Sequence, residues 1–143
     1  MLLDTCSRRL TMKQKHIFLV SIVHDEDDNY ISAKVIQGPI KREFPTDYVV
    51  DNNGHDYWAS KKIFEKFEIV RNPNSHEGHD GPTVHYTMGF IWEDGADEHY
   101  VRYMADECQR RCKSPVIDRL NELRKEIDRS IEKLIESKTC VSI

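Results

Sequence analysis

Apolar and polar positions change their spacing along this chain, and the changes mark its elements. From Ile17 to His24 the run is almost wholly apolar, with Phe18, Val20 and Ile22 on one side and Ile17, Leu19 and Val23 on the other. A strand covered on both faces has this pattern. Asp25-Glu26-Asp27-Asp28-Asn29 is a charged turn, after which Tyr30 to Ile36 alternates: Ile31, Ala33 and Val35 face one way, Tyr30, Ser32 and Lys34 the other. Together these segments predict a β-hairpin, ended by Gly38-Pro39. Thr83 to Trp92 alternates more strictly, with Val84, Tyr86, Met88, Phe90 and Trp92 on one face and His85 and Thr87 on the other. That spacing predicts a further strand.

The middle of the chain is more mixed. Phe44-Pro45 and Asn52-Asn53-Gly54 are loop signals around a short Tyr48-Val49-Val50 segment. Ala59, Ile63 and Phe67 recur at fours and predict a short helix over 58–66, with a strand over 67–70. Residues 72–82 hold paired Gly, Pro and Asn residues and read as a loop.

After Gly95 the spacing becomes helical. Residues 97–113 predict a helix that buries Val101, Met104, Ala105, Cys108 and Cys112. Ser114-Pro115 then supplies an N-cap hydroxyl and a residue suited to a first helical position, so a second helix is expected to start there. Along it Leu120, Leu123, Ile127, Ile131 and Leu134 recur at threes and fours between charged residues. A helix from Pro115 to Glu136 is roughly 33 Å long, and such a stripe needs a partner surface along its length. The order of strands followed by helices predicts an α+β fold with an antiparallel sheet and a C-terminal helical hairpin. The expected organisation is a flexible leader over 1–11, an α+β domain over 12–113, the amphipathic helix over 114–137 and a flexible tail over 138–143.

Composition narrows the function classes. Charged residues make up 32% of the chain and apolar residues only 38%, so the core is modest and helix faces carry much of the charge. The net charge of −4 has the wrong sign for a nucleic-acid backbone binder. Four cysteines, Cys6, Cys108, Cys112 and Cys140, do not form the spaced framework of a secreted miniprotein. No apolar run is long enough to span a membrane, and the N-terminus lacks a signal-peptide pattern. A cytoplasmic protein is expected. Cys140-Val141-Ser142-Ile143 has the outline of a prenylation box, but Ser142 stands where that motif takes an aliphatic residue.

Candidate chemistry is sparse. His76, His79, Asp80 and the neighbouring His85 are the one concentration of metal-ligand types. His76 and His79 are one residue short of the helical His-Glu-x-x-His spacing, and glycine and proline make this segment a poor helix. No Gly-rich phosphate loop, nucleophile elbow or calcium loop is present, and no cofactor is implied. Arg102, Arg110 and Arg111 are the candidates to meet a small anionic, nucleotide-like ligand, since guanidinium forks suit phosphate. The favoured reading is non-enzymatic: a small binding or regulatory protein that contacts another protein, or its own copies. It would act through the interface residues Leu120, Leu123, Ile127, Ile131 and Leu134 and through an open sheet face. A ligand binder with an Arg-lined pocket is the alternative, and a metal-dependent hydrolase using residues 76–85 comes third.

Overall fold

The computed structural model describes residues 13–27, 30–74 and 83–137. In chain order they form β1 (Lys15–Asp25), β2 (Tyr30–Glu43), β3 (Asp47–Asn52), β4 (His55–Ser60), a short 3-10 helix (Lys61–Phe64), β5 (Val70–Asn74), β6 (Thr83–Glu93) and the helix α1 (Glu98–Glu136). The strands lie in one sheet in the order β4-β3-β2-β1-β6-β5. Every pairing is antiparallel. The α+β class holds, and so does the sheet built from the N-terminal hairpin and the strand at 83–92. Two compact units divide at Cys112/Lys113, and the sheet lies wholly in the first.

β1 is central because both of its faces are apolar. Its neighbours place Phe90, Met88, Tyr86 and Val84 opposite Phe18, Val20, Ile22 and His24, and these eight side chains are all buried. The Phe18 and Phe90 rings lie 5.8 Å apart, and Phe67 meets Phe90 edge-on at 6.4 Å. Helix α1 reaches this face through Arg111, which donates to the Phe67 carbonyl at 3.3 Å and lays its guanidinium 5.1 Å from the Phe67 ring. On the opposite face Ile17, Leu19 and Ile36 pack with Val50 and Ala59 from the β3–β4 hairpin. Ile63 and Phe64 of the 3-10 helix close over them. Gly89 makes that closure possible: a Cβ there would lie 2.8 Å from the Phe64 ring and 2.6 Å from the Phe18 carbonyl oxygen.

Four expectations are corrected. Gly38-Pro39 does not end β2, which runs on to Glu43. It marks a change of partners, since β2 pairs with β1 up to Pro39 and with β3 from Ile40 onward. A Cβ on Gly38 would fall 1.9 Å from the Asp51 carbonyl oxygen, so the bare backbone is what admits β3. The helix expected over 58–66 is instead β4 followed by the 3-10 helix. Asn53 and Gly54 both take positive φ, 52° and 88°, as the tightest hairpin turns require, and this turn extends the strand pattern through Trp58. The strand expected over 67–70 lies at Val70–Asn74 instead, paired with β6. The remainder of the loop expected over 72–82 lies outside the described residues.

The fourth correction concerns the helices. The helical hairpin is absent, because α1 is a single helix with Pro115 inside it. Pro115 cannot donate to the Arg111 carbonyl, and a proline in a helix interior costs about 3 kcal/mol. The apolar spacing nevertheless runs through it without a break. Cys108, Cys112 and Val116, at successive fours, are all buried. A turn at Ser114 would have thrown that period out of phase.

Candidate functional site

In the second unit the helix carries an apolar stripe that this chain leaves in water. Leu120 and Leu123 are half-buried, whereas Ile127 is 58% exposed, Ile131 50%, Leu134 74% and Ile135 77%. Glu126, Ile127, Ser130, Ile131 and Leu134 line a shallow groove on this surface. Ser130 does not interrupt it with an unmet polar group, since its hydroxyl donates to the Glu126 carbonyl at 3.0 Å. Of the expected interface residues, the last three are the most open.

A second surface lies on the sheet. The register puts Tyr30, Ser32 and Lys34 of β2 on one face with Ser21 and Val23 of β1 and with His85 and Thr87 of β6. This is the sheet surface expected to be open, and Tyr30, Ser32 and Lys34 are exposed on it. Because β3 pairs with β2 only from Ile40 onward, residues 30–37 have a strand on one side only among the described residues. Ile31 and Val35, which alternation sends to the other face, are also exposed there. An open edge of this kind can accept another strand.

A third surface was missed in the sequence. Phe44 and Trp58 stack at 5.0 Å, Arg42 lies 5.9 Å from the Phe44 ring, and both aromatics are exposed. Beside them Lys41 and Arg42 both bond Asp56, at 2.6 and 3.2 Å. The hydrogen bond from Lys41 holds the Asp56 carboxyl below its ordinary value. The Asn53-Gly54 dipeptide was the available signal, since it predicts the hairpin that carries Trp58 across from Val49.

The three candidate arginines are already engaged with acids. Arg102 bonds Glu98 at 2.9 Å, one turn earlier. Arg110 and Arg111 converge on one carboxylate, Glu107, at 2.8 and 3.0 Å. Arg110 first, and Arg111 after it, hold that carboxyl below the usual range. Arg111 is further committed to Phe67. The structure thus brings two of the three together, around an anion the protein itself supplies.

Cys108 and Cys112 are completely buried free thiols. Burial pushes their pKa values up to about 12 and about 11. Thiols in that state are poor nucleophiles and poor metal ligands. His24, also fully buried, has no hydrogen-bond partner for either ring nitrogen among the described residues. His76, His79 and Asp80 lie outside the described residues. His85 stands in β6 opposite Val23 and Asn72. Among the described residues no group of three or more His, Cys, Asp or Glu side chains converges as a metal site would require, and no helix is long and apolar enough to cross a membrane.

The chain matches no protein-family model, no curated protein and no solved structure.

Proposed function

We propose that this protein is a small, non-enzymatic binding and regulatory protein of the cytoplasm. It works by seating the exposed stripe of its C-terminal helix on a protein surface, with the open sheet face as a second contact. One observation carries this reading: Ile127, Ile131, Leu134 and Ile135 are each at least half exposed on one helix. Burying a Leu or Ile contributes roughly 1.5–3 kcal/mol. Four such side chains beside one another therefore form a strong site for a partner and a liability without one. The acids already bonded to Arg102, Arg110 and Arg111 favour this reading over a phosphate pocket.

The test is the double substitution Ile127→Lys and Ile131→Lys in the 143-residue chain. The reading expects wild type to be retained by a partner, or to run as more than one chain in light scattering. It expects the variant to lose that association while keeping the circular dichroism of the sheet. A wild-type protein that is monomeric, and whose captured partners are unchanged by the substitutions, would refute it.

A further inference from the structure

We infer that the partner of the stripe is a second copy of the same helix, seated antiparallel, with Leu123 of one chain against Leu134 of the other. This rests on the reading that the stripe is a contact surface, and it adds the occupant, the direction and the register.

The direction follows from charges beside the stripe. With Ile127 taken as an a position, Leu120 and Leu134 are also a, and Leu123 and Ser130 are d. The g positions are then Arg119, Glu126 and Lys133, and the e positions are Ile117, Arg124 and Ile131. In a parallel pair each g residue meets the e residue five positions later on its neighbour. Arg119 would face Arg124, and Glu126 would face Ile131, so no attractive pair forms. An antiparallel pair brings g against g instead, and the g row of this chain contains both signs.

The register follows from the same row. Seating Leu123 across from Leu134, and Ile127 across from Ser130, brings Glu126 of each chain beside Lys133 of the other, twice by symmetry. Shifting the chains by one heptad in one direction sets Glu126 against Glu126 and Arg119 against Lys133. A further heptad would restore opposite charges, Arg119 with Glu126, but would need Val116 as a core residue. Val116 is already buried within a single chain and is not available. The opposite shift sets Lys133 against itself and shortens the overlap. One antiparallel register therefore satisfies the charges and covers Leu123, Ile127, Ile131 and Leu134, while Ile135, at a b position, stays outside the seam.

The remaining contacts agree with it. Ser130 can face an apolar neighbour because its hydroxyl is bonded to its own helix. Ile131 lies where the aliphatic stem of Arg124 crosses from the partner, a use to which long basic side chains are suited. The contact is self-complementary, as two-fold symmetry demands. Its short overlap assigns it to the weak, reversible class of interfaces.

The experiment uses the full chain with Cys6→Ser and Cys140→Ser and the buried Cys108 and Cys112 retained. Into this background go Leu123→Cys or Leu134→Cys, one per chain. Under mild oxidation neither single variant should cross-link to itself, while an equimolar mixture should give a disulfide-linked dimer. Independently, Glu126→Lys should raise the dimer dissociation constant about tenfold or more, and adding Lys133→Glu should restore it, because two exposed attractive pairs become repulsive and then attractive again. Self-cross-linking of either single variant, or no rescue by the charge exchange, would overturn the antiparallel register. Such a dimer would still dissociate with Ile127→Lys and Ile131→Lys, leaving the contact surface itself intact. A monomer at all concentrations would overturn the second copy as occupant, and the capture of other proteins would then decide the broader reading alone.

Discussion

Leu19 and Leu134 are the same residue in opposite situations. Leu19, in the central strand, is fully buried between Ile36 and Gly89, whereas Leu134, near the end of α1, is 74% exposed. The sheet unit buries the apolar residues at its centre, on both faces of β1, and leaves Ile31, Val35, Phe44 and Trp58 exposed toward its edge. The helical unit has a stripe of similar chemistry and leaves its C-terminal part uncovered. In the first region hydrophobic spacing specifies a fold, and in the second it leaves an exposed stripe, the surface proposed for the contact.

Leu19→Ala gives the sharpest contrast. It removes side-chain volume from a packed core and should destabilise the sheet by about 2–5 kcal/mol, whereas Leu134→Ala should change the stability of the isolated chain by less than about 0.5 kcal/mol. Chemical denaturation monitored by sheet circular dichroism, at a concentration where the chain is monomeric, measures both. Equal costs would erase the distinction between the two regions.

Gly89→Ala should cost about 1–3 kcal/mol, because the added methyl meets the Phe64 ring and the Phe18 carbonyl. In contrast Gly95, also a glycine beside β6 but with open space around its missing Cβ, tests backbone conformation rather than packing. Gly95→Ala should cost less, through its positive φ alone. Thermal melts of the two variants rank them.

The core also contains one residue that works against it. His24 is fully buried with both ring nitrogens unmet among the described residues. His24→Leu should therefore stabilise the protein by about 1–3 kcal/mol, the cost of leaving a buried polar group unsatisfied. A lower melting temperature for this variant would show that the imidazole has a partner.

How much of this was legible in the sequence depended on whether the signals were local. The strand at 83–93 and the β1–β2 hairpin were, because alternation and a charged turn are short-range features. The continuation of β2 past Gly38 was not, since its cause is the approach of Asp51, thirteen residues later in the chain. β4 was obscured because Ala59, Ile63 and Phe67 mimic a helical spacing, although Asn53-Gly54 announced the hairpin. Pro115 read locally as a helix start, yet the period of Cys108, Cys112 and Val116 carried the helix through it. Of the candidate surfaces, the stripe was visible in the spacing of Ile127, Ile131 and Leu134. The Phe44–Trp58 stack was not, since it depends on which residues the β3–β4 register brings across.

The smallest expected effect comes from acid. Lys61 holds Glu43 below its ordinary value of 4.5, Lys41 holds Asp56 below 3.8, and Arg110 holds Glu107 below 4.5. Carboxylates depressed in the folded state contribute stability that is fully present above those ordinary values and is lost as pH falls through the folded ones. Glu43 and Asp56 are exposed and Glu107 is mostly covered, so the loss should be slight for the first two and should come chiefly from Glu107. Melting temperatures should be flat from pH 7 to about pH 5 and decline below about pH 4. A decline beginning near neutrality would point to a different group.

The exposed half of α1 is proposed as a contact surface whose partner is its own copy. Sedimentation equilibrium of wild type beside the Ile127→Lys, Ile131→Lys variant tests it most directly. The wild-type mass should rise toward twice that of the chain with concentration, and the variant should stay at one chain mass with its sheet intact. A wild type fixed at one chain mass, or a variant that dimerises as well as wild type, would contradict it.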